Sequence, residues 1–208
     1  MPVKFVRNIS ESDLLGVWCI DETDVEDFHF EPSDALCEIL AQYKSPKRKM
    51  EVICTYALLY AMTGNQNLIV RHLPSGKPVL GDTYVSITHT ERYVSVLLSK
   101  NHEVALDMEY RSSRVQRVAS RFLRADERPA NLDALLLHWC AKECAYKYWS
   151  ALNLEFEEIR VHPLAGDIFA KGKMCVENLR ENTCLSLAFE FFHDALLVYS
   201  VEDDKFVV

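Results

Sequence analysis

The segment Glu103-Val104-Ala105-Leu106-Asp107-Met108-Glu109 alternates apolar and acidic side chains with a period of two, the pattern of a half-buried strand. Val104, Leu106 and Met108 point one way; Asp107 and Glu109 point the other. Two carboxylates thus share a face with Cα atoms about 6–7 Å apart. They can converge on one small hard cation, and they repel each other without it. Taken alone, the same pattern fits a strand with a solvated acidic edge, so the rest of the chain has to discriminate.

With 208 residues, 49% of them apolar and 26% charged, the chain can bury a substantial core as one domain or two small lobes. A net charge of −8, from 23 basic and 31 acidic residues, argues against nucleic-acid binding by bulk charge. The start Met1-Pro2-Val3-Lys4-Phe5-Val6-Arg7 has no apolar signal core, and no apolar run is long enough to cross a bilayer. The expectation is a cytoplasmic protein with no membrane partner. Seven scattered cysteines without a C-x-x-C pair fit a reducing compartment. His138-x-Cys140-x-x-x-Cys144 has the spacing of a soft-metal site on a helix, but its cysteines read better as small core residues.

The chain opens with a strand over Leu14–Ile20 and an acidic stretch, Asp21 to Asp27. Pro32-Ser33-Asp34 starts a helix, and Ser45-Pro46 starts a longer one that runs to about Met62 and stops at Gly64. Lys47, Arg48 and Lys49 put positive charge at its amino end, an unfavourable placement that suggests an anionic partner. A short strand is expected over Leu68–Arg71 and a loop over Pro74-Ser75-Gly76-Lys77-Pro78. Tyr84–His89, Tyr93–Ser99 and the acidic strand are expected to form a three-stranded meander.

From Ser112 to Leu123 the spacing predicts a helix. Val115, Val118, Ala119 and Phe122 form its buried stripe, and Arg111, Arg114, Arg117, Arg121 and Arg124 line one face. That face is either solvated or a dock for an acidic protein. The longest helix is expected over Leu132–Ser150, with Trp139, Glu143 and Lys147 four apart on one face and Lys142 beside them. The last quarter reads as β: Ile159–His162, a hairpin around Lys171-Gly172-Lys173, Leu185–Phe192 and Ala195–Val201.

Read in order, Gly76-Lys77-Pro78, Thr88-His89-Thr90, Ala105-Leu106-Asp107-Met108-Glu109, Phe122 with Glu127, and Trp139-x-x-Lys142-Glu143-x-x-x-Lys147 resemble the 4′-phosphopantetheinyl transferase superfamily. The length is nearest its two-lobed monomeric branch, of the surfactin-synthetase-activating type, and the likeness covers about Trp18 to Tyr199. Thr88 stands where the family has serine, and Ala105 where it has glycine. The family's extra lysines near Pro32 are missing.

The resemblance implies an α+β fold of two similar lobes, 1–101 and 102–208, each an antiparallel sheet packed with a long helix. It implies a Mg²⁺-dependent holo-[acyl-carrier-protein] synthase, with Mn²⁺ as the alternative metal. Such an enzyme moves the 4′-phosphopantetheine arm of coenzyme A onto a serine of an apo acyl or peptidyl carrier protein and releases adenosine 3′,5′-bisphosphate. Asp107, Glu109 and Glu143 would hold the metal, and Glu143 and Lys147 would be catalytic. Arg48, Lys77, Pro78, Thr88, His89 and Lys142 would contact coenzyme A; Arg111, Arg114, Arg117 and Arg121 would dock the carrier. A monomer is expected. Two other readings remain at this stage: a metal-dependent pyrophosphohydrolase, and a noncatalytic protein that binds coenzyme A or a carrier.

Overall fold

The computed structural model describes residues 2–20, 31–163 and 170–202. These fall into two compact units, Met1–Glu103 and Val104–Val208, taken separately below.

The first unit is built on strands β1 (Val3–Asn8), β2 (Asp13–Cys19), β3 (Arg71–His72), β4 (Pro78–Val79), β5 (Tyr84–His89) and β6 (Tyr93–Ser99), and on helices α1 (Asp34–Ala41) and α2 (Pro46–Thr63). Both helix starts follow from local chemistry. The Ser33 hydroxyl accepts from the Leu36 N–H and the Ser45 hydroxyl from the Arg48 N–H, each at 3.3 Å. Gly64 ends α2 at φ +68°, a backbone state cheap only for glycine. The antiparallel sheet has the order β1-β2-β6-β5, with β3 and β4 as a separate ribbon. Trp18, Leu58, Leu59, Val94 and Val96 centre its core.

Two expectations fail here. The strand expected over Leu68–Arg71 begins only at Arg71, because the Tyr56 hydroxyl accepts the Val70 N–H at 3.0 Å in place of a ladder bond. The three-stranded meander is not formed. Both edges of β6 are occupied, by β2 and β5, so the acidic strand pairs elsewhere. Strand β1 left little sequence signal because it is a half-exposed edge interrupted by Lys4 and Arg7.

The second unit carries β7 (Leu106–Tyr110), a 3₁₀ segment (Ser113–Arg117), a single α-turn α3 (Ala119–Phe122) and the long helix α4 (Leu132–Tyr148). Strands β8 (Ile159–Val161), β9 (Lys171–Asn178), β10 (Thr183–Phe192) and β11 (Ala195–Ser200) follow. The antiparallel order is β7-β11-β10-β9-β8. The wiring matches the first unit: an early strand (β2, β7) pairs with the last (β6, β11), which pairs with the one before it, and the long helix lies between them in sequence. Together the units make an α+β protein.

The arginine-bearing segment is not one helix. Val118 sits at φ −110°, ψ 1°, and the Val118 and Arg121 N–H groups bond three residues back, so the arginines do not line a continuous α-helical face. Lys171-Gly172-Lys173 is strand, not a hairpin turn. Gly172 pairs with Phe189, whose ring lies where a Cβ would stand, 2.7 Å away. This glycine accommodates an aromatic ring and does not turn the chain.

Candidate active site

Strand β7 sets Glu109 opposite Leu196 and Asp107 opposite Val198 of β11. Leu196 and Val198 belong to the core beneath α4, so the two carboxylates face that helix while Leu106 and Met108 bury on the other side. Helix α4 begins at Asn131, whose side chain accepts the Ala134 N–H at 2.9 Å. Its four-residue spacing then brings Trp139, Glu143 and Lys147 down on the acidic face. Trp139 Nε1 donates to Glu109 Oε1 at 3.4 Å. Lys147 Nζ donates to Asp107 Oδ1 at 2.7 Å and to the Leu106 carbonyl at 3.0 Å. The Trp139 ring is steadied by Phe122 and Phe156, at centroid distances of 5.1 and 5.7 Å.

Three carboxylates against one ammonium leave a local excess of negative charge in a poorly solvated place. Burial first, and then the Asp107 charge, push the Glu143 carboxyl up to about 7. Burial and Asp107 also raise Glu109, against the Trp139 bond. Burial works against the Lys147 ammonium, but Asp107 outweighs it and holds the lysine above its ordinary pKa. Among the described residues, Glu143 has neither a hydrogen-bond nor an ion-pair partner. An acceptor-only, half-buried oxyanion beside two more carboxylates is a hard-oxygen donor set of the kind a small divalent cation satisfies.

Lys142, expected to contact coenzyme A, is engaged within the protein. It is wholly buried and spends its three protons on the Phe122 carbonyl (2.7 Å), the Phe156 carbonyl (3.0 Å) and Glu127 (2.8 Å). Glu127 accepts in turn from the Val161 and Arg124 N–H groups, both at 2.9 Å. This buried pair ties α4 to the segment before it and to β8. Cys140 and Cys144 are fully buried, with thiols pushed well up by burial, and His138 bonds the Ala134 carbonyl at 2.7 Å. The two cysteines are core residues, as their spacing on the helix leads one to expect.

In the first unit, α2 and the end of β5 bring the two expected residues Arg48 and His89 together with Glu51. Arg48 reaches Glu51 Oε2 at 2.9 Å and His89 Nε2 at 3.1 Å, and His89 Nε2 lies 3.2 Å from the same Glu51 oxygen. Glu51 is buried, while Arg48 and His89 keep about 40% of their side chains exposed. The Arg-x-x-Glu spacing was the available signal for Glu51. Thr88, next to His89 on β5, points to the opposite face and is buried. Lys77 binds Glu103 at 2.6 Å, and Pro78 opens β4.

Of the arginines, Arg111 is engaged by Asp133 and stacks on Phe191, 4.7 Å to the ring centroid. Arg124 bonds Asp126 at 2.9 Å. Arg114, Arg117 and Arg121 are exposed, and the Arg114 charge works to lower the Glu109 carboxyl against the burial that raises it.

The family model described as ACPS, 4′-phosphopantetheinyl transferase superfamily, matches residues 103–195, a span that contains β7, Glu127 and all of α4. No curated protein matches the chain.

Proposed function

Through residues 103–195 the chain belongs to the 4′-phosphopantetheinyl transferase superfamily, and from that premise we propose that it transfers the 4′-phosphopantetheine arm of coenzyme A to a serine of an apo acyl or peptidyl carrier protein, as a two-lobed monomeric member. The single observation that carries the reading is that β7 and α4 face each other with Lys147 bonded to Asp107 and with Glu143 near enough to feel the Asp107 and Glu109 charges.

Asp107, Glu109 and Glu143 would hold Mg²⁺. The bound ion would supply charge neutralisation for the pyrophosphate of coenzyme A. Lys147, fixed by Asp107 and the Leu106 carbonyl, offers its positive charge where negative charge grows on the transferring phosphoryl group. Glu143, as a carboxylate, would take the serine proton as the serine oxygen bonds to phosphorus. The bond from that phosphorus to the bridging oxygen breaks, and adenosine 3′,5′-bisphosphate leaves with the electron pair. Trp139 keeps Glu109 in place.

Arg48 and His89 would bind the 3′-phosphate, the arginine because its fork can donate twice to one anion. Lys77 and Pro78 are assigned to the nucleotide and Thr88 to the phosphates, by resemblance alone. Arg114, Arg117 and Arg121 are the exposed cations left to meet an acidic carrier. The test is product release. Adenosine 3′,5′-bisphosphate should form from coenzyme A and Mg²⁺ only when apo carrier is added; release without carrier would favour a hydrolase.

A further inference from the structure

The second sheet gathers soft ligands on the face that the transfer reaction does not use. In the pairing of β9 with β10, Cys175 stands opposite Ser186 and Cys184 opposite Glu177. Cys175, Glu177 and Cys184 therefore share a face, while Met174, Val176, Leu185 and Leu187 turn into the core behind them. His162, just past β8, joins them, its N–H donating to the Cys175 carbonyl at 3.1 Å. One ligand atom from each of His162, Cys175 and Cys184 lies within 4.8 Å of the other two. Glu177 Oε2 is 3.3 Å from His162 Nε2.

We propose that His162, Cys175 and Cys184 bind a zinc ion whose fourth position is open to solvent. Two thiols and an imidazole suit a borderline-soft ion, and they do not suit Mg²⁺ or Ca²⁺, which take oxygen. Tetrahedral zinc at about 2.0–2.3 Å from each ligand places the ligand atoms roughly 3.3–3.8 Å apart. Closing to that geometry takes about an ångström at most, within rotation of the exposed Cys184 and the half-exposed His162. Binding releases the two thiol protons, and two thiolates then balance the ion. Glu177 keeps its own partner in Arg160, at 3.2 Å.

The site joins the end of β8 to β9 and β10. Strand β8 is only three residues long and pairs with β9 alone. Its Val161 N–H bonds Glu127, so an ion there also steadies the buried Glu127–Lys142 pair.

The full-length protein, reduced and stripped of metal, is titrated with Zn²⁺, and separately with Co²⁺ as a coloured probe. The expected result is one tight equivalent, a thiolate-to-cobalt charge-transfer band and a Tm that rises on zinc addition. Cys175→Ser and Cys184→Ser should each weaken binding on the order of 100-fold or more and cut the charge-transfer intensity roughly in half at saturating Co²⁺, and the double variant should lose the band. Asp107→Asn should retain both, which separates this site from the carboxylates. Circular dichroism verifies that the serine variants fold. No stoichiometric uptake, cobalt spectra without thiolate character, or unchanged binding in the Cys175→Ser/Cys184→Ser double variant would overturn the proposal. So would a Cys175–Cys184 disulfide forming in air in a protein whose reduced form takes up no metal.

Discussion

Lys147 Nζ lies 2.7 Å from Asp107 Oδ1 and 3.0 Å from the Leu106 carbonyl, so one ammonium is pinned to both the side chain and the backbone of the acidic strand. Lys147→Ala therefore removes the positioned positive charge and leaves three carboxylates facing one another. Under the transferase reading, kcat for arm transfer falls about 10²-fold or more. The KM for coenzyme A changes far less. Steady-state kinetics on one carrier checks this, and a pure KM effect would remove Lys147 from the reacting centre.

Glu143 gives a pH dependence whose sign is fixed by its environment. Its carboxyl is raised from 4.5 to about 7 on folding, so between those values the folded chain binds more protons than the unfolded one. The associated stability is complete below about pH 4.5 and is lost as pH rises through about 7. Metal-free Glu143→Gln should be more stable than the parent at pH 8, by about 3 kcal/mol, and indistinguishable from it at pH 4. Mg²⁺ should raise the Tm of the parent at pH 8 and leave that of Glu143→Gln nearly unchanged. Urea denaturation across pH with EDTA measures the first effect; an equal slope in both proteins would contradict it.

Buried Glu51 holds Arg48 and His89 to a single oxygen, so its loss should loosen both exposed groups at once. Glu51→Gln should raise the KM for coenzyme A several-fold while leaving kcat and the KM for 3′-dephospho-coenzyme A in place. An equal rise for both substrates would dissociate the trio from the 3′-phosphate.

Lys142 makes a different kind of prediction, which follows from its place in a buried ion pair with Glu127. Removing it leaves Glu127 charged and buried, and Lys142→Ala should cost about 3–5 kcal/mol. The fraction that folds should bind coenzyme A as the parent does. Chemical denaturation with isothermal titration separates the two; weakened binding at unchanged stability would restore Lys142 to the cofactor site.

The carrier surface is tested by charge reversal. Arg114→Glu with Arg117→Glu should raise the KM for carrier about tenfold while that for coenzyme A holds. An unchanged carrier KM would place the dock elsewhere.

Local signals were legible in the sequence and nonlocal ones were not. Ser45-Pro46 and Gly64 bound α2 because caps act within one turn, and the spacing of Trp139, Glu143 and Lys147 put them on one face of α4. The partner of the acidic strand was not legible, since pairing depends on which edges remain open once β6 is flanked on both sides. Lys142 carried the pattern of a site lysine; only the arrival of Glu127 and two carbonyls around it shows a buried counter-ion. Arg48 and His89 follow from the motif order; Glu51 carries only the weak Arg-x-x-Glu spacing, and its hold on both shows once Arg48 and His89, 41 positions apart, meet beside it. The arginine spacing overstated a helix because three- and four-residue intervals fit a 3₁₀ segment followed by a single α-turn almost as well.

The most direct measurement is the intact mass of apo acyl and peptidyl carriers after incubation with the protein, coenzyme A and Mg²⁺, beside Glu143→Gln and EDTA controls. A gain of one phosphopantetheine arm on the carrier serine, absent in both controls, is the predicted result. Carriers that stay unmodified while coenzyme A remains bound and intact would contradict the transferase and leave a binding protein in its place.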